Sequence, residues 1–221
     1  RVDNRMVLNV GPNSHSMTDH TQSNWNGIVG ELQLVASPLI RLEDIQVYPD
    51  LERNGLRVVA QTSGMTEAAE LMLDVSFQGE VVASKNLPLV NIPKEGKTIE
   101  TFIPFQDAAQ VWDEFNPHLH QLDATIASAG LRANMPPVTF GMRVDQNRML
   151  LNGRPIVLRG TLESAIFPKT GYPPTDVGSW KRIIRICKEH GLNHIRFHSW
   201  CPPKAAFIAA DELGFYFQVE C

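Results

Sequence analysis

At 221 residues, 43% of them hydrophobic, the chain is long enough for one or two packed domains and part of a third, and its composition excludes disorder. A net charge of -4 provides no electrostatic footprint for nucleic acid or an anionic membrane, so neither is expected as a partner. No apolar run approaches the roughly 20 residues of a transmembrane helix.

Residues 1–37 read as strand pieces around a polar loop. VDNRMVLNV alternates in part, Pro12, Asn13 and Ser14 are turn formers, and GIVGELQLVA (residues 27–36) reads as a strand. Two or three strands cannot bury a sheet alone, so this stretch is expected to be the tail of a larger domain.

Pro38 opens a second unit, residues 38–140. LEDIQVYPD, GLRVVAQTSG, ELMLDVSFQG, KTIETFIPF and HLHQLDATIAS alternate apolar and polar residues between turn signals, as the strands of a β-sandwich do. Asn54-Gly55 is a strong turn signal. No cysteine lies here, so the core is expected from Val58, Leu71, Leu73, Val75, Phe77, Ile103, Leu122 and Ile126. His118 and His120, among the aromatics of WDEFNPHLHQL (residues 112–122), read either as one side of a ligand groove or as exposed or satisfied histidines. Strand alternation favours the second.

From Phe140 the pattern changes. FGMRVDQNRMLLNGRPIVLRG places Asn152-Gly153 between two apolar runs, a two-residue hairpin signal, with Pro155 at the entrance to the next strand. IVLRG (156–160), NHIRF (193–197) and FYFQVE (215–220) read as buried strands. Two helical segments separate them. Val177, Trp180, Ile183, Ile184 and Cys187 share one face of the first, which Gly191 closes. The second opens with Pro202-Pro203, carries Ala206, Phe207, Ala210 and Leu213, and stops at Gly214.

This order predicts a parallel α/β unit, in which chemistry gathers at the carboxyl ends of the strands. Those ends hold residues 161–163, 198–201 and 220–221. Glu163 and Glu220 are the local candidates for a carboxylate pair. Cys187, Cys201 and Cys221 are odd in number and match no structural zinc spacing. His198 and Cys201 lack further ligands, so no metal and no cofactor is expected. Cys187 reads as a buried thiol, and cysteine usage leaves the cellular compartment open.

Several stretches together resemble glycoside hydrolase family 2, which includes β-galactosidases, β-glucuronidases and β-mannosidases. Leu158-Arg159-Gly160 with Pro168 and Gly171, NHIRFHSW, and AADELGFY (residues 209–216) are similar to the start of its catalytic barrel. NWNGIVGEL (residues 24–32) resembles the last strand region of its jelly-roll domain. WDEFNPHLHQL resembles its immunoglobulin-like domain, with His120 where tyrosine is usual. The FGMR to LNGRP passage resembles its route from sandwich into barrel.

The resemblance implies a mostly β chain in three parts. Residues 1–37 would be the C-terminal part of a jelly-roll sugar-binding-type domain and 38–140 an immunoglobulin-like β-sandwich. Residues 141–221 would be a linker hairpin and the first βαβαβ part of a TIM barrel. It further implies a parent enzyme, exo-acting and retaining, that hydrolyses β-linked sugars. In the family both catalytic glutamates lie at the ends of later barrel strands, the acid/base in an Asn-Glu pair. No Asn-Glu occurs here, so no catalytic residue is assigned and the chain itself is expected to be inactive.

By the same resemblance Arg196 matches the arginine of an R-x-S-H-Y-P segment, which either steadies a catalytic carboxylate or pairs for structure. His198 and Trp200 are sugar-contact types, although Ser199 stands in the usual histidine place. The common V-N-R-H is T-L-E-S here, which puts Glu163 at the substrate and leaves the sugar's identity open. Glu31 holds the place of an aspartate that reaches the sugar, without the usual arginine beside it; the alternative is a solvated strand residue. The competing class is a non-catalytic carbohydrate-binding or scaffold sandwich, against which the parallel segment argues. Open edges of the barrel start predict that the chain either self-associates through residues 156–221 or holds that region loosely.

Overall fold

The structure, a computed structural model, describes residues 28, 30, 32–146 and 149–220. The chain divides into two compact units, one of Val35–Ile156 and one of Arg1–Leu34 with Val157–Cys221.

The first unit is a β-sandwich. Its strands are β1 (Arg41–Asp50), β2 (Gly55–Ser63), β3 (Thr66–Phe77), β4 (Glu80–Ile92), β5 (Thr98–Pro104), β6 (Leu119–Ser128), β7 (Leu131–Asn134) and β8 (Val138–Gly141). One antiparallel sheet has the order β1-β2-β5 and the other β4-β3-β6-β7, with β8 continuing along the free edge of β6. Period-2 alternation turns Leu56, Val58 and Ala60 of β2 inward to meet Leu71, Leu73 and Val75 of β3 and Leu122, Ala124 and Ile126 of β6. Of the expected core, Phe77 departs from the pattern, being only half-buried.

Strand β4 escapes a reading of the sequence because it contains Pro88 and little clean alternation. It lies at the edge of its sheet, where a missing N–H is tolerated. Pro136-Pro137 breaks the opposite edge into β7 and β8.

A small three-stranded meander follows, with β9 (Asp145–Gln146), β10 (Leu150–Leu151) and β11 (Arg154–Pro155). Asn152 and Gly153 form its two-residue turn with φ of 49° and 76°, the paired positive values of a type I′ hairpin. The Asn152 amide donates to the Trp112 carbonyl at 3.1 Å, and Arg154 pairs with Asp113 at 2.8 Å. These bonds tie the hairpin to the buried Trp112 segment of the sandwich.

The second unit contains β12 (Gly160–Glu163), α1 (Val177–Glu189), β13 (His194–Phe197), α2 (Lys204–Leu213) and β14 (Tyr216–Val219). The strands are parallel in the order β12-β13-β14. Asp176 caps α1 by accepting the Ser179 N–H at 2.8 Å. Gly214 ends α2 in the left-handed conformation, with φ of 64°. Trp180 and Ile184 of α1 and Ala206, Ala209 and Ala210 of α2 bury Ile195, Phe197 and Phe215.

Two sequence expectations shift. The first parallel strand was expected at 156–160 and forms at Gly160–Glu163. Asn193 is the reason. Its side chain accepts the Arg159 N–H at 2.8 Å and donates to the Val157 carbonyl at 3.0 Å, occupying groups a ladder would otherwise use. The strand expected at 27–36 is not formed by the described residues 32–36, where Leu32, Leu34 and Val35 are exposed and no described strand lies alongside to complete a ladder. Ile195, Phe197 and Phe215 lie on the sheet face that the two helices cover. The opposite sheet face carries Leu162, Arg196 and Gln218 on one register level.

Candidate functional site at the parallel strand tips

Parallel pairing brings the carboxyl ends of β12, β13 and β14 side by side. Glu163, Phe197 and Val219 share one register level, and Leu162, Arg196 and Gln218 the level before it. Successive residues of a strand face opposite sides. Arg196 therefore shares a face with Gln218 and with Glu220 beyond it, whereas Glu163 lies on the side of Phe197 and Val219, which pack with the helices.

The side chains follow that division. Arg196 and Glu220 form an ion pair, with side-chain exposures of 43% and 29%. The second Glu220 oxygen accepts the Ser199 N–H at 3.2 Å, and Ser199 presents it from a left-handed backbone with φ of 57°. Burial alone would raise the Glu220 pKa. The hydrogen bond and charge of Arg196, the Ser199 amide and the charge of His198 together hold it below the ordinary carboxylate value.

The Glu163 carboxylate turns into its own loop and accepts the Ala165 N–H at 3.0 Å. Burial pushes its pKa up against the pull of loop amides and the Trp200 indole. Its carbonyl accepts the His198 N–H at 2.8 Å and the Trp200 indole N–H at 3.4 Å. The Trp200 ring stands edge-on to Phe197 at 5.2 Å and to Phe167 at 5.9 Å, which fixes it as one wall of the tip region.

The structure thus gathers Arg196, His198, Trp200 and Glu220 and sets the Glu163 carboxylate apart on the other face. Glu31 lies outside the described residues. The two glutamates that were the local candidates for a carboxylate pair do not face each other, and the partner of Glu220 is Arg196. The parity of the strand register separates the two glutamates, and that register is not written in one strand's sequence. Among the described residues no group of three or more His, Cys, Asp or Glu side chains is placed to hold a metal ion. No described helix is long and apolar enough to cross a membrane.

No protein-family model matches the chain. It is 23% identical over 229 residues to the β-galactosidase large subunit of Latilactobacillus sakei, an alignment covering 99% of this chain and 35% of that one. In fold it is similar to a glycosyl hydrolase family 2 member from Bacteroides cellulosilyticus, with a TM-score of 0.69 and 18% identity over 82% of this chain and 25% of that one. The β-glucuronidase of Parabacteroides merdae superposes with a TM-score of 0.72 and 22% identity, over 89% of this chain and 25% of that one. In sequence and fold the chain is similar to members of glycoside hydrolase family 2.

The chain spans about a third of the length of the L. sakei relative and a quarter of each solved chain. Within the sandwich the Trp112 segment has a clear structural use. Asp113 accepts the N–H groups of Phe115 and Asn116 at 2.9 and 2.7 Å and pairs with Arg154. Burial opposes ionisation of Asp113, but those amides and Arg154 outweigh it and lower the pKa. Arg143 lies over the Trp112 ring, 5.0 Å from its centroid.

Proposed function

We propose that this chain is the portion of a retaining, exo-acting β-glycosidase in which the sandwich leads into the catalytic barrel. Carbohydrate is the substrate class and the O-glycosyl bond the one hydrolysed. In this reading residues 1–37 end a jelly-roll domain, 38–140 are the immunoglobulin-like spacer, and 141–221 are the linker hairpin and the opening of the barrel. The Arg196–Glu220 pair at adjacent parallel strand tips carries the reading, because a spacer would have no use for such a furnished tip.

Retaining glycosidases need two carboxyl groups about 5–5.5 Å apart, one as nucleophile and one as acid/base. Both are assigned to later barrel strands, since Glu220 is engaged by Arg196 and Glu163 by its own loop. Arg196 and Glu220 act as a pair that positions the neighbouring catalytic carboxylate. His198 offers a hydrogen bond and Trp200 an apolar platform to the sugar. Glu31 completes the proposed substrate-lining set, whereas Glu163, which the resemblance also implies there, turns its carboxylate into the loop at Ala165. The free edges of β12 and β14 are where further barrel strands, or another copy of the chain, would pair.

Expression of the whole reading frame that carries this chain tests the proposal. It should hydrolyse an aryl β-glycoside and release the β-anomer first, while residues 1–221 alone give no turnover. Arg196→Lys in the whole enzyme should lower kcat about 10²-fold with little change in KM, as expected for a displaced catalytic group. Inversion at the anomeric carbon, or turnover by the 221-residue chain that Glu163→Gln or Glu220→Gln abolishes, would overturn the assignment.

A further inference from the structure

The loop that leaves β12 is built around one side chain. The Glu163 carboxylate accepts the Ala165 N–H at 3.0 Å, and the amides of Ile166 and Ser164 also pull on it. Ala165 is buried and left-handed, with φ of 57°. Successive N–H groups about a left-handed residue form a concavity that suits an anion. A residue other than glycine keeps that conformation only where its surroundings impose it, and here the carboxylate supplies the restraint.

The Trp200 indole is tied to the same residue. Its N–H donates to the Glu163 carbonyl at 3.4 Å, whereas the His198 N–H takes that carbonyl at 2.8 Å. An indole has a single donor, and the weaker share of one carbonyl leaves it drawn also to the carboxylate, whose pKa it lowers. The loop further supplies Phe167, which stands edge-on to Trp200 at 5.9 Å. Glu163 thus holds both the polar end of the indole and the turn that carries its neighbouring ring.

We propose, on the reading of Trp200 as a sugar platform given above, that Glu163 is a positioning residue whose carboxylate sets the tilt of the Trp200 ring. Packing on an aromatic face is geometrically specific, so the tilt decides how well a pyranose stacks there. Glu163 itself makes no contact with the sugar, because its carboxylate is turned into its own loop. Its loss therefore weakens substrate binding through Trp200 and leaves the Arg196–Glu220 pair in place.

Two readouts test this. In the 221-residue chain the Trp200 indole N–H should exchange with deuterium about tenfold faster in Glu163→Leu than in wild type. Glu163→Gln, which keeps an acceptor oxygen, should restore most of the protection. The indole signal of Trp180, bonded to the Pro174 carbonyl at 2.8 Å, reports that the unit remains folded. In the whole enzyme Glu163→Leu should raise KM for an aryl β-glycoside about tenfold, more than it lowers kcat. Trp200→Phe, which keeps a ring but loses the donor, should raise KM in the same way, and the two changes together should lose less than their sum. Unchanged indole exchange in a folded Glu163→Leu, a fall in kcat rather than a rise in KM, wild-type KM in Trp200→Phe, or full additivity overturns the proposal. A whole enzyme that hydrolyses no glycoside overturns the functional reading instead, and the exchange data then decide the tether alone.

Discussion

Arg196 and Glu220 meet across β13 and the end of β14, and Ser199 closes the other side of the Glu220 carboxylate with its backbone N–H. A planar guanidinium and a backbone amide thus hold one carboxylate from two directions. Two chain segments separated by α2 are fixed by this one side chain.

Replacing Glu220 by Gln should loosen that junction. Its folded pKa lies below the ordinary value of 4.5, so the ionised form is the one the fold favours. The stabilisation is fully present above that ordinary value and fades as pH falls through the lower folded value. Thermal melts of wild type from pH 6 to about pH 3 should show this decline, and Glu220→Gln should show less of it. Identical acid profiles for the two proteins would remove the pair from the account.

Glu163 should behave in the opposite sense. Burial raises its folded pKa, so its ionisation costs stability as pH rises from 4.5 through the folded value. Glu163→Gln keeps an oxygen for the Ala165 amide and sheds the charge, and it should be neutral or stabilising at pH 7. Glu163→Ala leaves that amide without its partner and should cost about 1 kcal/mol. Calorimetry of both variants decides it. A Gln variant less stable than the Ala variant contradicts the burial argument.

His120→Phe should stabilise the sandwich by about 1–3 kcal/mol, because it removes an unpaired buried polar atom while keeping the aromatic stack. The folded pKa of His120 is depressed below 6.5, so acid favours the unfolded chain, which takes up a proton the fold resists. Wild type should therefore lose stability as pH drops through about 6.5 and below, and the Phe variant should lose less. Denaturant midpoints at pH 8 and pH 5.5 provide the comparison.

Asn54 joins the β1–β2 turn to the loop at 105–109 through three side-chain hydrogen bonds and itself sits at φ of 48°. Asn54→Gly keeps access to that backbone conformation and deletes the bonds, so it should cost about 2–3 kcal/mol. Amide exchange should rise first at Ala109, whose N–H loses its acceptor. Unchanged exchange there would show that the backbone alone holds the loop.

Local pattern carried much of this protein. Alternation along β2, β3 and β6 marked their inward faces, Asn152-Gly153 specified its hairpin, and Gly214 ended α2, because each depends on residues close together in sequence. The family motifs likewise placed Arg196, His198 and Trp200 at one strand end. What local pattern missed depended on distant partners. Pro88 is compatible with β4 only because that strand falls at an edge, and the first parallel strand begins at Gly160 because Asn193, far along the chain, engages Val157 and Arg159. The site turned on the same physics. Glu163 and Glu220 look alike as strand-end carboxylates, but the register of three strands puts one against the helices and the other against Arg196. Side-chain direction reverses with every residue, so only the pairing of the strands decided which carboxylate faces the open side of the sheet.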